Sequence, residues 1–381
     1  MANPAGRHRR VAQHRRRTSS PQRRALAMGA TSVTVGVLAA ASSSGATTDE
    51  VAQVATAVAH PISLSQLPDA AICSAAPTIT GAHFYPGPSA SSVYDATFRQ
   101  SFSIPYLHTH TPQGMAVWQD WDGLHNNLVL IGMYRAGHPS YLVAMDPATG
   151  LPYATVQTEE SHLGGMAVVG DWLLAQDRAH RGPELVRRYH LDELAVAMQK
   201  AHLTGTQPFV PYDGTKQQIY GAGFMTAHAG HLWAGHYNAT GPDKMYEYAL
   251  SKAGRLTKMA GAHEVPAQTQ GVLVTDDRFI FEGSLGRDSG MMTVVERSPS
   301  ITPLGRCFAT PSMGEGLAQL DDHVLVVYEG GSSLYPKAEN RVTNLHIAPY
   351  ASLSALTNPG TPVTALPAVN SEDSSTGSHL E

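Results

Sequence analysis

Five times along this chain a glycine is followed by a short hydrophobic strand, at a spacing near fifty residues. The segments read PQGMAVW, LGGMAVV, GAGFMTA, TQGVLVT and GEGLAQL, with the glycines at Gly114, Gly165, Gly223, Gly271 and Gly316, spaced 51, 58, 48 and 45 apart. Each is followed by a second apolar run: LVLIGMY from Leu128, WLLAQD from Trp172, LWAGHY from Leu232, FIFEGS from Phe279 and VLVVYE from Val324. A third run closes each unit: SYLVAMD, ELVRRYHL, KMYEYAL, MMTVVER and RVTNLHI. Short strands at this period, separated by turns, point to an all-β chain and a β-propeller of about five blades. A twisted sheet of three or four strands cannot cover both its faces alone. Packing such sheets around an axis covers them and protects most edges.

A fourth strand precedes several of the glycines: ATVQT, HEV and RCF. TFRQSFSI, Thr97 to Ile104, holds that place before Gly114, so it is expected to supply the outer strand of the last blade and close the ring. A sixth, degenerate blade from residues 50–100 stays open. The one helical interruption is LDELAVAMQKAH, Leu191 to His202, apolar at 191, 194, 195 and 198. It reads as a surface helix inserted after the third strand of the second unit.

The ends of the chain differ from the repeats. The first 24 residues carry eight arginines and no acid, and an uncharged run, Ala25 to Ala41, leads to small residues at Ser44, Gly45 and Ala46. That order reads as a signal peptide over residues 1–46, by the general or the twin-arginine route, and predicts a secreted, extracellular protein. Without the leader, 18 basic residues stand against 31 acidic ones, a net charge of −13 in place of −5. So acidic a chain has no global attraction to nucleic acid or anionic lipid. No membrane span is expected after signal removal, and we expect a monomer. Residues 47–95 form an Ala/Ser/Pro-rich segment without periodicity, 96–356 the propeller, and 357–381 a polar tail expected to be disordered. The two cysteines, Cys73 and Cys307, predict one disulfide in an exported chain. It would stabilise by about 4–5 kcal/mol in the chain-entropy model.

The runs THTPQGMAVW, ESHLGGMAV, MYEYAL, TQGVLVTDDRFIF, SMGEGL and YEGGSSLY resemble a group of secreted actinobacterial propeller-like proteins over residues 80–355. The resemblance implies export and a propeller fold and supplies no activity. More distantly, the EG before one strand and the YE after the next are similar to lactonase-like and phytase-esterase-like propellers.

In a propeller the loop before the innermost strand and the loop after the second strand share one face, where loops from all blades converge. Here those loops are polar. They offer His108, His110, Gln113, Tyr134, Arg135, His162, Asp177, Arg178, His236, Asn238, Gln270, Arg287 and Tyr328 as ligand-binding candidates. With neighbouring aromatics such as Tyr237 and Tyr335 they suit an extracellular ligand, a carbohydrate, cell-wall or peptide fragment. Gln113, Gln270 and Glu315 each stand directly before a repeat glycine. Such a ring of oxygens could hold Ca2+ or another divalent ion, and His108 and His110 have a spacing used in zinc sites. Glu315 with Glu329, or Glu159 with Glu160, could form an acid/base pair. A recognition module is the first reading, and a metal-dependent, lactonase- or esterase-like hydrolase at the channel mouth is the alternative. The loop Tyr328 to Arg341 is a candidate lid.

Overall fold

The computed structural model describes residues 83–177, 184–297 and 306–356. The chain divides into two units, residues 1–58 and 59–381, and every described residue belongs to the second. The leader, Cys73, Arg178 and the tail beyond 356 lie outside the described residues.

Five antiparallel sheets follow one another along the chain. Blade one is β2 (Thr111–Trp118), β3 (Leu128–Tyr134), β4 (Ser140–Asp146) and β5 (Leu151–Thr158). Blade two is β6 (Met166–Val169), β7 (Trp172–Gln176), β8 (Leu185–His190) and a two-residue β9 (Gln217–Gln218). Blade three is β10 (Phe224–His228), β11 (His231–Gly235) and β12 (Asp243–Leu250), whose outer edge is shared by β13 (Leu256–Lys258) and β14 (His263–Val265). Blade four is β15 (Thr269–Val274), β16 (Arg278–Gly283), β17 (Gly290–Glu296) and β18 (Arg306–Thr310). Blade five joins β19 (Gly314–Leu320), β20 (His323–Tyr328) and β21 (Asn344–Pro349) to β1 (Arg99–Ser103). The chain is a five-bladed β-propeller, and its N-terminal strand completes the last blade as the repeat order predicts.

The core shows why the ring closes. There are five apolar clusters, one in each gap between consecutive blades. The gap between blades five and one, for example, joins Ala318, Leu325, Val327 and Leu345 to Met115, Val129, Ile131 and Val143. Second strands are therefore covered on both faces. This is why they read as unbroken apolar runs and not as alternations; β3 is buried at six of seven positions. The outer strand β1 has no such cover and is mostly exposed.

The repeat glycines sit where innermost strands of neighbouring blades approach one another. A Cβ on Gly114 would strike the carbonyls of Leu163 and Gly164, one on Gly165 that of Ala222, and one on Gly271 that of Glu315. On Gly316 it would lie 2.8 Å from the amide nitrogen of Met115, across the closure. Only glycine lets these four pairs of inner strands come this close, whereas a Cβ on Gly223 would meet the Tyr237 amide nitrogen of its own blade at 3.0 Å.

The helix α2 (Leu191–Thr204) buries Leu191, Leu194, Met198 and Ala201 against the gap between blades one and two. It ends at Gly205, whose φ of 66° is the left-handed cap that glycine favours.

The segment before β1 joins the core. Residues 83–98, of which 83–95 belong to the stretch read as aperiodic, pack into the outer gap between blades four and five through Tyr85, Val93, Tyr94 and Phe98. They include α1 (Ser92–Thr97), capped by the Ser91 hydroxyl, which accepts from the Tyr94 amide and donates to the Ala309 carbonyl. A six-residue helix is too short to show a period, and its order comes from these long-range contacts. Cys307, on the outer strand β18, is 1 % exposed.

Candidate functional site

Three of the innermost strands carry a β-bulge at the same level. Register shifts fall between Pro112 and Met115, between Thr269 and Gly271, and between Gly314 and Leu317. The residues in these bulges are Gln113, Gln270 and Glu315. A bulge re-aims a side chain, and here it turns all three toward one another. Gln270 Nε2 donates to Glu315 Oε1 at 2.9 Å, and Gln113 Nε2 donates to Glu329 Oε1. Glu329 opens the 3-10 turn Glu329–Gly331 at the end of β20, on the same hairpin as Glu315. The backbone is strained beside the bulges: Gln268 and Met313, each three residues before a repeat glycine, both have φ of 64°.

Glu315 and Glu329 are 4 % and 8 % exposed. Burial, then the Glu329 charge, holds the Glu315 carboxyl well above its ordinary 4.5. Burial also raises Glu329, against the opposing pull of the Gln113 amide. Two buried carboxyls that feel each other's charge disfavour ionising together, which favours keeping a proton on the pair. Tyr237 and Tyr335 stand around it. Burial and then the charges of Glu315 and Glu329 push the Tyr237 phenol up to about 12. The Tyr335 phenol is raised by the same causes, with Arg287 pulling the other way and Tyr134 also near. The Tyr134 ring rests 4.9 Å from that of His162. Blades one, three, four and five thus each contribute a polar side chain to this channel mouth.

A third carboxyl, absent from the sequence-level candidates, lies behind the pair. Glu282, on β16, is fully buried, and burial pushes it up to about 8 although it accepts a 2.6 Å hydrogen bond from Thr310. Its charge also acts on Glu315. A Cβ at Gly314 would collide with the Glu282 carboxyl. The only hint of it in the sequence is a lone acid inside an apolar strand, FIFEG.

Several predicted residues serve other ends. Tyr328 is fully buried; its hydroxyl lies 2.7 Å from that of Tyr94, which in turn contacts His346 Nδ1 at 2.6 Å. It packs between blades and does not face a ligand, because it points to the opposite side of the strand from Glu329. His108 and His110 do not form a strand pair. They flank a turn, with His108 exposed and His110 buried and stacked on Tyr141 at 4.0 Å. Asp177 is buried in ion pairs with Arg187 and, at 2.7 Å, Lys216. Arg187 also donates to the carbonyls of Glu159 and Glu160 and so braces their loop. His236 Nδ1 lies 2.5 Å from Glu184 Oε1, and Glu184 also accepts the Ala222 amide. Asn238 folds its own turn by accepting from the amide and hydroxyl of Thr240. Arg135 is half-buried and Arg287 exposed.

The loop expected as a candidate lid is tied to its neighbours by hydrogen bonds. Ser333 donates its amide to the Leu107 carbonyl at 2.8 Å, and Glu339 donates to that of Arg287 at 3.3 Å. Asn340 exchanges hydrogen bonds with Ser312 and reaches the carbonyls of Pro86 and Pro88. These ties join the loop to blades one and four and to the N-terminal segment.

Among the described residues no group of three or more His, Cys, Asp or Glu side chains is arranged to hold a metal ion. The expected oxygen ring is instead two amide–carboxyl pairs. A cavity of about 430 Å3 occupies the other half of the channel, lined by Met115, Met166, Leu273, Leu317, Gln319 and His228 among others. It includes neither carboxyl of the pair.

No family model matches the chain, and no curated protein matches it. Solved structures to which it is similar include the glutaminyl cyclase of Myxococcus xanthus, at 11% identity and TM-score 0.38, covering 66% of this chain and 97% of that one. A GH43_1 enzyme from Xanthomonas citri is similar at 11% identity and TM-score 0.39, covering 68% and 92%. The propeller domain of Cps50 from Myceliophteria thermophila is similar at 12% identity and TM-score 0.32, covering 60% and 65%.

Proposed function

We propose that this is an exported propeller that binds a small extracellular ligand, a sugar or peptide fragment, at the mouth of its channel. One observation carries the reading: the buried Glu315–Glu329 pair, aimed by bulges and held by Gln270 and Gln113, at the face where loops of several blades converge. Buried polar groups cost stability unless paired, so a carboxyl pair kept at a channel mouth is a functional-site signature. Export is supported by the arginine-rich leader with its apolar run, and a Cys73–Cys307 bond fits that compartment.

Acid–base catalysis on the bound ligand is the second reading. A proton kept on the pair favours it, because a carboxyl protonated near neutrality can donate while its partner accepts.

Ligand screening by saturation-transfer NMR, followed by turnover assays on each hit, tests both. We expect binding to weaken in Glu315→Gln while the melting temperature holds. Turnover that disappears in this variant with affinity intact would select the enzyme. Binding that is unchanged in both Glu315→Gln and Glu329→Gln would remove the mouth as the site.

A further inference from the structure

The polar atoms around the Glu315–Glu329 pair are mostly acceptors. Gln113 is 1 % exposed, and while its Nε2 is committed to Glu329 its Oε1 has no hydrogen-bond partner. Behind them Glu282 Oε2 is buried and likewise without one. Gln270 has turned one donor to Glu315. The Tyr237 hydroxyl is directed at the Ser284 carbonyl, 3.4 Å away. Arg287, the cation acting on Tyr335, is exposed at the rim. A buried acceptor left unpaired costs free energy until a donor arrives. Among the described residues the buried part of the mouth therefore offers more acceptors than donors, and Arg287 stands outside it at the rim.

Resting on the reading of the mouth as a ligand site, we propose that its ligand bears a primary ammonium group, whose N–H donors meet the carboxyls of Glu315 and Glu329 and the Oε1 of Gln113. An ammonium carries three donors and no acceptor, which matches this set. An anionic ligand would face two carboxyls, with no buried cation among the described residues of the mouth to offset them. Tyr237 and Tyr335 add phenol rings at the rim, surfaces that a desolvated cation favours. Amino sugars and peptide N-termini both carry the group.

The test uses the full chain and probes in matched pairs: glucosamine with N-acetylglucosamine, and short peptides with free and with acetylated N-termini. Affinity is read by NMR titration. We expect the amine of at least one pair to bind about tenfold more tightly than its acetylated partner. The pair that shows the preference tells sugar from peptide. In Glu329→Gln the preference should shrink to about twofold. Equal affinity within every pair overturns the ammonium proposal while leaving the mouth as a ligand site. Binding by none of the probes overturns the proposal and withdraws support from the mouth itself. Stabilisation by Ca2+ or Mg2+ alone, lost in Glu315→Gln, overturns it by assigning the pair to a metal ion. The paired comparison on the unaltered protein decides the matter even if a variant fails to fold.

Discussion

Gln270 Nε2 donates to Glu315 Oε1 across 2.9 Å, joining the bulge of blade four to that of blade five. The bond satisfies one carboxyl oxygen, and the neighbouring charge of Glu329 still raises the Glu315 proton affinity. Replacing Glu329 by Gln should therefore lower the Glu315 pKa toward its ordinary 4.5. A carboxyl-carbon NMR titration reads this directly. An unchanged Glu315 titration would show that the two groups do not interact.

Stability should peak on the acid side of neutrality. Glu282 is raised to about 8 by burial, whereas the unfolded chain ionises it near 4.5. Its contribution is full below 4.5 and is lost as pH rises to about 8, and Glu315 and Glu329 act in the same direction. His346 has the opposite sign: burial lowers it from 6.5 to about 3, so stability falls as pH drops below 6.5. Urea midpoints measured across pH should be highest near 4.5, because above it the three carboxyls lose more stability than the single imidazole gains. Glu282→Gln keeps an acceptor for Thr310 and should flatten the alkaline limb. A variant that loses stability in parallel with the unaltered protein up to pH 8 would contradict a protonated Glu282.

The repeat glycines should tolerate no side chain. Gly316→Ala would place a Cβ 2.8 Å from the Met115 amide nitrogen at the ring closure. Overpacking of this kind costs about 1–3 kcal/mol. Differential scanning calorimetry should show the melting temperature lowered by roughly 5 °C. Gly241→Ala is the control, with nothing within 4 Å of the new Cβ; its change should stay within about 0.5 kcal/mol.

A Cys73–Cys307 bond would close a loop of 234 positions. Mass spectrometry of protein alkylated without reduction should find neither cysteine modified. Reduction should then destabilise the chain by roughly 5 kcal/mol in the chain-entropy picture. Alkylation of both thiols in the unreduced secreted protein would refute the pairing.

The architecture is legible in the sequence because its cause is local and repeated. Each second strand, such as LVLIGMY or FIFEG, is apolar on both sides, and only stacking between two other sheets covers both. The glycine before each inner strand marks the close approach at the axis, and TFRQSFSI stands where a missing outer strand must be supplied. The site is legible in part: Gln113, Gln270 and Glu315 share the position before a repeat glycine, Glu329 follows a second strand, and the structure pairs Gln270 with Glu315 and Gln113 with Glu329.

What remained hidden depends on parity and on distant partners. Successive strand residues face opposite ways, so Tyr328 enters the gap beside Tyr94 while its neighbour Glu329 turns to the channel. A bulge shifts that parity by one residue, and nothing in the local sequence reports which strands carry one. The order of residues 83–98, the burial of His110 against Tyr141 and of Glu282 behind Glu315 come from contacts made across the assembled blades. The sequence alone determined that this chain closes a ring of about five sheets, because apolar period and glycine spacing are properties of each repeat, and the structure settled the number at five. Only the tertiary structure decided which polar side chains meet at the mouth, because burial and mutual charge exist once the ring has closed.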